Sequence, residues 1–130
     1  MVEKEVLTLI ASELMTSSSI TVEGKSAPVR RTSRQRLRTA AFSVDGHQYQ
    51  AVEQNPEKPS RWGQLARSGH QVVQFKDAER NNFGALVVDG KVTFYGTSKK
   101  WHQRTGIIGE PSTGTAQALM KVVSATPVAA

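Results

Sequence analysis

The arginines between residues 29 and 38 are the first side chains in this sequence whose type and spacing indicate a chemistry. Five guanidinium groups fall within nine residues: Arg30, Arg31, Arg34, Arg36 and Arg38. No acidic residue occurs from position 25 to position 44. Guanidinium groups stay protonated in proteins and bind phosphate oxygens through paired hydrogen bonds. A segment of this kind can neutralise several phosphates of a nucleic acid and release their counterions.

A second basic cluster lies in the segment SKKWHQR, residues 98–104. An exposed aromatic ring among cations suits a single-stranded nucleic acid, because a base stacks on the ring while the cations follow the phosphates. We therefore predict nucleic-acid contacts at eight side chains: Arg30, Arg31, Arg34, Arg36, Lys99, Lys100, Trp101 and Arg104.

Each basic segment also has a simpler interpretation. Trp101 could be a core residue that lies among lysines, since tryptophan is usually mostly buried. The arginines could be solvated charge on an edge strand, where they prevent aggregation. Both interpretations stay open at the level of sequence, as does the question of whether segments 28–36 and 99–104 converge on one face.

Seven of the nine glutamines stand out as amides that could hydrogen-bond to bases: Gln48, Gln50, Gln54, Gln64, Gln71, Gln74 and Gln103. On the outer face of a strand, however, glutamine is more commonly a plain polar surface residue. We therefore assign none of them to the site.

Motifs for catalysis, metal binding and nucleotide binding are missing from the sequence. The histidines His47, His70 and His102 belong to no HExxH or HxH pattern, so a metal site would need ligands from distant parts of the chain. No GxSxG elbow, GxGxxG loop or GxxxxGKS/T loop occurs. We therefore predict that the protein is not an enzyme and has no catalytic residues, metal or cofactor.

Length and composition are those of a single globular domain. The chain has 130 residues, of which 38% are hydrophobic and 22% charged, which is ordinary for one folded domain. Its net charge of +6 favours contact with phosphates or acidic surfaces. The sequence has no cysteine, no signal-peptide pattern and no apolar run of the roughly 18 residues that span a bilayer. We expect a cytoplasmic protein without membrane contact, either a monomer or a homodimer.

Hydrophobic spacing and capping residues predict three helices: residues 3–15, 61–68 and 115–125. In the first, Val6, Ile10 and Leu14 lie four residues apart, and acidic residues occupy the first turn. The second begins after Ser60, a good N-cap, and ends before Gly69.

Two β-hairpins are predicted, each centred on an Asp-Gly pair between strand-forming residues, at 45–46 and at 89–90. Asp-Gly is typical of a two-residue type I′ turn, because both central residues need positive φ. Such turns fix the register, and the expected partners are Val44 with His47, Phe42 with Tyr49, Ala40 with Ala51, Arg38 with Glu53, Val87 with Val92 and Ala85 with Phe94. Further strands are expected near residues 20–28 and 71–75.

The predicted fold class is α+β, as a single compact domain. Two β-hairpins and one or two further strands form a curved antiparallel sheet, packed by two or three short helices. The expected divisions are an N-terminal helix and short strand at 1–27, a core at 28–125 entered through a basic arm at 28–36, and a disordered tail at 126–130. Within the arm, Arg30, Arg31 and Arg34 are expected on a flexible approach segment. Strand, hairpin and helix occur twice in that order, which is compatible with a degenerate β-β-β-α duplication.

These features predict a non-catalytic binding protein for polyanions, most specifically for single-stranded nucleic acid or RNA. The arginine-rich arm and the Lys/Trp/Arg loop would supply the contacts. The alternative is a protein-interaction or assembly module without a nucleic-acid role. In that case the basic arm binds an acidic partner, and the hairpin edges pair with another chain.

Overall fold

Six of the strands form one antiparallel sheet in the order in which they occur along the chain. The computed structural model describes residues 3–79, 81–97, 102–103 and 105–107. Its elements are α1 (Glu3–Glu13), β1 (Ser19–Val22), β2 (Lys25–Pro28), β3 (Arg30–Arg31), β4 (Arg38–Val44), β5 (His47–Glu53), α2 (Arg61–Arg67), β6 (Gln71–Asp77), β7 (Asn82–Val88) and β8 (Lys91–Tyr95). Strands β3 to β8 make up the sheet, and β1 and β2 form a separate hairpin. The predicted α+β fold is confirmed.

Both predicted hairpins are confirmed, and so are five of the six predicted pairs. The sixth differs, because backbone pairing ends at Thr39 with Val52 and the N–H of Arg38 donates to Oε1 of Glu53 at 2.6 Å. Asp45 and Gly46 have φ angles of 51° and 80°, and the equivalent pair at 89–90 has 51° and 77°, the positive values that a type I′ turn requires. Phe42 pairs with Tyr49 in the first hairpin, as the turn type predicts. The second hairpin likewise has the expected register. The aromatic residues that these registers align are buried on one side of the sheet, which we call the core face.

The core face is covered by α1 and by the β1–β2 hairpin. Val6, Ile10 and Leu14 have no exposed surface, as the helical spacing predicted. They share one hydrophobic core with five aromatic rings from the sheet: Phe42, Tyr49, Phe75, Phe83 and Phe94. Burial of this apolar surface is the main term that stabilises the fold.

Polar side chains from the sheet fix both ends of α1. At its first turn, Glu3 accepts a hydrogen bond from the Tyr49 hydroxyl at 2.9 Å and lies 2.7 Å from Nδ1 of His47. At its last turn, Nε2 of Gln71 donates to the carbonyl of Ala11 at 2.7 Å, one of the carbonyls that a helix cannot satisfy internally. The helix is therefore tied to both β5 and β6.

The second predicted helix is confirmed as α2, which packs on the opposite side of the sheet from α1. Oγ of Ser60 accepts a hydrogen bond from the backbone N–H of Gly63 at 3.1 Å, as expected of an N-cap. Leu65 is buried against Val72 and Leu86. We call this side of the sheet the outer face.

The last predicted helix, residues 115–125, and the predicted tail, residues 126–130, lie outside the described residues. The second helix of the duplication falls in the same segment, so the duplication stays a prediction. His102, Gln103 and Thr105 are helical where the sequence predicted a loop. Neither α1 nor α2 has the length and apolar character needed to cross a membrane.

Candidate nucleic-acid interface

The arginine-rich segment folds back into a hairpin. Arg30 and Arg31 form the edge strand β3, which pairs with the start of β4. The loop at 32–37 closes on itself, because the N–H of Thr32 donates to the carbonyl of Leu37 at 2.8 Å and the N–H of Leu37 donates to Oγ1 of Thr32 at 3.0 Å. The expectation of a flexible approach segment is therefore wrong for Arg30 and Arg31.

We call residues 30–38 the arginine hairpin. Arg36 lies near the end of this loop with a φ of 56°, outside β4, so it does not share a strand face with Arg38. Arg31 is held in place from two directions. Its NH1 donates to the carbonyl of Arg36 at 2.8 Å and lies 3.8 Å from Oε1 of Glu53.

Three arginines of this hairpin are exposed and form no ion pair with any residue that the structure describes: Arg30, Arg34 and Arg36. Arg30 pairs with Thr39 across β3 and β4, and this register places it in a row of outer-face residues. The hairpin thus brings the four arginines predicted from the sequence together, but only three of them are unpaired. Unpaired exposed guanidinium groups can bind phosphate without first breaking an ion pair.

Part of the outer face is left uncovered by α2, which packs against β6. Apart from half-buried Val52, the exposed and half-exposed side chains there are small or polar: Thr39, Ala41, Ser43, Gln48, Gln50, Gln74, Lys76 and Asn82. One cross-strand row crosses all six strands, through Arg30, Thr39, Val52, Gln74, Gly84 and Tyr95. Since strands lie about 4.8 Å apart, this row is about 24 Å long.

Charge is divided unequally between the two faces of the sheet. Both acidic residues of the six strands, Glu53 and Asp77, lie on the core face, because their cross-strand partners are core residues. Three cations lie on the outer face in the registers observed, namely Arg30, Lys76 and Lys91. The strands therefore give the outer face positive charge and no acidic residue, which favours an anionic ligand.

Gln74 connects the open part of the outer face to α2. Its Nε2 donates to the Tyr95 hydroxyl at 2.6 Å and also to Oε1 of Gln54. The Tyr95 ring stacks on Trp62 with 3.6 Å between the ring centroids and lies across Gly84, where any side chain would overlap it. Burial raises the pKa of the Tyr95 hydroxyl well above its ordinary value, although the hydrogen bond with Gln74 acts in the opposite direction.

A hollow of about 250 Å³ opens on the outer face. The residues that line it are Gln50, Val52, Gln74, Phe75, Lys76 and Asn82. Gln50 and Asn82 are exposed and Val52 is half-buried, so the hollow combines amide groups with an apolar contact. Such a lining suits a small planar group with polar edges.

Four of the eight predicted contact residues lie outside the described residues: Lys99, Lys100, Trp101 and Arg104. Their position relative to the arginine hairpin therefore stays a prediction. Within the described part of the chain, no group of three or more histidine, aspartate and glutamate side chains is placed to hold a metal ion.

Sequence reasoning considered Gln50 and Gln74 but assigned neither to the site, and it did not single out Lys76 and Asn82. A signal for Gln50 was present, because the predicted hairpin register already placed it on the face opposite Tyr49. What the sequence did not show is that α2 leaves this part of the face uncovered. Without that information, an outward amide is indistinguishable from ordinary polar surface.

Comparison with protein-family models, with curated proteins and with solved structures found no match to this chain. Its function is therefore inferred from the charges, registers and hydrogen bonds described above. The strongest feature for that purpose is the cationic outer face beside the arginine hairpin.

Proposed function

We propose that this protein is a non-catalytic binding protein for polyanions, and that its ligand in the cytoplasm is single-stranded nucleic acid or RNA. The observation that carries the proposal is the division of charge in the sheet. The outer face has Arg30, Lys76 and Lys91 and no acidic strand residue, and it adjoins the arginine hairpin.

The phosphates of the ligand would run along the arginine hairpin and onto the outer face. Arg30 belongs to both surfaces, and Arg34 and Arg36 extend the positive charge into the loop. A guanidinium group binds a phosphate through two hydrogen bonds, and each neutralised phosphate releases part of its counterion atmosphere. Binding should therefore weaken steeply as salt is added.

A single strand suits the outer face better than a duplex does. The open part of this face presents amides and hydroxyls, among them Thr39, Gln50 and Asn82. Base edges of a single strand are free to hydrogen-bond with such groups, whereas those of a duplex are paired and reached only through a groove.

The proposal is tested by removing two arginines and comparing the result with an equal loss of charge elsewhere. The variant is Arg30→Ala with Arg34→Ala, and it leaves Arg36, which lies in the closed loop at a positive φ, unchanged. The matched control is Lys4→Ala with Lys58→Ala, two exposed cations outside the arginine hairpin. Fluorescence anisotropy with labelled single-stranded DNA, RNA and duplex DNA, at several salt concentrations, gives affinity and salt slope.

We expect the arginine variant to bind single strands about tenfold more weakly at low salt. Its salt slope should fall by about 1.4, or about 0.7 for each phosphate that is no longer neutralised. The control variant should keep most of the affinity. Equal effects in the two variants would contradict the proposal, because binding would then follow net charge alone. Absence of binding to every nucleic acid at low salt would refute it outright.

One feature favours the alternative of a protein-interaction module. Strand β3 pairs with β4 only at Arg38 and Thr39, so residues 40–44 have no hydrogen-bonded strand partner on that side among the described residues, and the β1–β2 hairpin that lies against β4 would have to move aside for one to pair there. An edge of this kind can pair with a strand of another molecule. Sedimentation over a concentration series would support this alternative if it showed a dimer that survives in the Arg30→Ala, Arg34→Ala variant.

A further inference from the structure

We infer that the hollow on the outer face is a subsite for one nucleobase of the bound strand, and that it prefers a base with an amino group at pyrimidine C4 or purine C6, as in cytosine and adenine. This inference rests on the proposed function. It adds a contact with the base itself, whereas the arginines contact the phosphates. The hollow lies in the same sheet face as Arg30, and it is lined by Gln50, Gln74 and Asn82.

The orientation of the Gln74 amide is fixed by two hydrogen-bond partners, and one of them, Gln54, is itself oriented by a backbone carbonyl. Nε2 of Gln54 donates to the carbonyl of Asn55 at 3.2 Å, so Oε1 of Gln54 is the atom that accepts from Gln74. Nε2 of Gln74 also donates to the Tyr95 hydroxyl at 2.6 Å. Both N–H groups of Gln74 are thereby used. Its Oε1 is left as an acceptor without a donor among the described residues.

The other walls of the hollow complement this acceptor. Val52 follows Thr39 in the row that contains Gln74 and offers an apolar contact to a ring. Gln50, Lys76 and Asn82 form the adjacent row across β5, β6 and β7. Among the described residues, Gln50 makes only a long contact, 3.5 Å from its Nε2 to Oγ1 of Thr39, so its amide can turn to a ligand. Lys76 can pair with the phosphate attached to the bound nucleotide.

A fixed acceptor discriminates between bases. Cytosine and adenine present an amino group that donates a hydrogen bond, whereas thymine and uracil present a carbonyl oxygen at the corresponding position. A carbonyl opposite Oε1 of Gln74 would leave two acceptors facing each other without a hydrogen bond, which carries a free-energy penalty. The hollow should therefore favour cytosine or adenine over thymine.

The test uses fluorescence anisotropy with the 130-residue chain and three labelled strands of about twelve nucleotides, a length within the usual range for one binding domain. The strands are oligodeoxycytidine, oligothymidine and an abasic sugar-phosphate chain. We expect cytidine to bind about tenfold more tightly than thymidine, the effect of one good base contact. The abasic strand should bind most weakly and measure the phosphate contribution alone.

Three variants localise the effect. Gln74→Met removes the acceptor and should reduce the cytidine preference to about twofold or less. Gln50→Ala and Asn82→Ala, at exposed strand positions, should weaken binding to both base-containing strands and leave the abasic strand unchanged. They keep the test valid if Gln74→Met disturbs the fold, which circular dichroism would show. The matched amide control is Gln64→Ala, exposed on α2 and not part of the hollow, which should behave as wild type.

The outcomes separate this inference from the proposed function. Equal binding of cytidine, thymidine and abasic strands would overturn the subsite and leave polyanion binding intact. A cytidine preference that persists in folded Gln74→Met, or wild-type binding of all strands by both Gln50→Ala and Asn82→Ala, would also overturn it, because the base contact would then lie elsewhere. If none of the strands binds at low salt, the proposed function fails and the subsite fails with it.

Discussion

The core face and the outer face of the sheet are built from alternate residues of the same strands, yet they differ in packing and in charge. On the core face, Phe75 and Phe83 stack with 5.2 Å between ring centroids. The two acidic residues of that face are tied to backbone N–H groups: Glu53 accepts from Arg38 at 2.6 Å, and Asp77 accepts from Asn81 at 2.9 Å. In the part of the chain that the structure describes, the outer face has no acidic strand residue and much of it is uncovered.

This difference separates the residues that determine the fold from those available for binding. Side chains alternate across a strand, so a change on one face leaves the other in place. Replacement of an exposed polar residue usually changes stability little, whereas a core replacement leaves a cavity. The outer face can therefore carry cations and amides suited to a ligand without cost to the core.

The largest expected effect comes from Phe75→Ala on the core face. Phe75 is 2% exposed and contacts both Phe83 and Phe94, so its removal should lower the free energy of unfolding by about 4 kcal/mol. The matched control is Gln48→Ala, on the outer face in the adjacent part of the sheet. It should change the free energy of unfolding by less than about 0.5 kcal/mol. Urea unfolding followed by circular dichroism measures both. Similar decreases in the two variants would mean that the faces are not energetically distinct.

A smaller decrease in stability is expected where the outer face does contain a packed cluster. In Gly84→Ala the new methyl group would overlap the Tyr95 ring, which is stacked on Trp62. The ring must move and give up its hydrogen bond with Gln74, which should cost about 2–3 kcal/mol. Thermal unfolding measures this change. Ala85→Gly, one residue along the same strand but facing the core, shows whether any replacement in β7 has the same effect.

The titration of Tyr95 gives the same variant a second readout. Burial raises the pKa of the folded-state hydroxyl, so the stabilisation linked to Tyr95 is fully present below the ordinary tyrosine pKa of about 10 and is lost as pH rises beyond it. Displacing the ring should bring its pKa back toward the ordinary value. The tyrosinate absorbance of Gly84→Ala should therefore develop at lower pH than in the wild type, and an unchanged titration would show that the ring has not moved.

The core face was largely predictable from sequence, because its signals are local. Asp45-Gly46 fixes a turn and thereby a register, and the spacing of Val6, Ile10 and Leu14 marks the buried side of α1. Strand β3 was not predictable in this way. Its two residues are too few to alternate visibly, and their pairing depends on a loop closed by backbone hydrogen bonds.

The outer-face site depends on relations between distant residues. Gln54 meets Gln74 only because β5 and β6 pair in one particular register, which no turn residue specifies, since α2 lies between these strands. The open area also depends on where α2 packs. The alternating amides could be recognised in the sequence. Whether they are accessible to a ligand could not, because that depends on where α2 packs.

The smallest effect concerns the polar cluster that the core face does contain. Glu3 is 8% exposed and lies between the Tyr49 hydroxyl, at 2.9 Å, and Nδ1 of His47, at 2.7 Å. Tyr49→Phe removes one donor to this carboxylate and should lower the free energy of unfolding by about 1.5 kcal/mol, the usual contribution of a hydrogen bond to a charged group.

A double-mutant cycle with Glu3→Gln tests whether that decrease belongs to the pair or to Tyr49 alone. If the hydroxyl acts through the carboxylate, Tyr49→Phe should cost less in the Glu3→Gln background, with a coupling of about 1 kcal/mol. Glu3→Gln and Gln48→Ala lie on opposite sides of the sheet. In a cycle between these two, the changes in the free energy of unfolding should therefore be additive. Coupling across the sheet of the same size as coupling within the core face would show that the two faces are not independent, and would remove the basis for assigning stability to one and binding to the other.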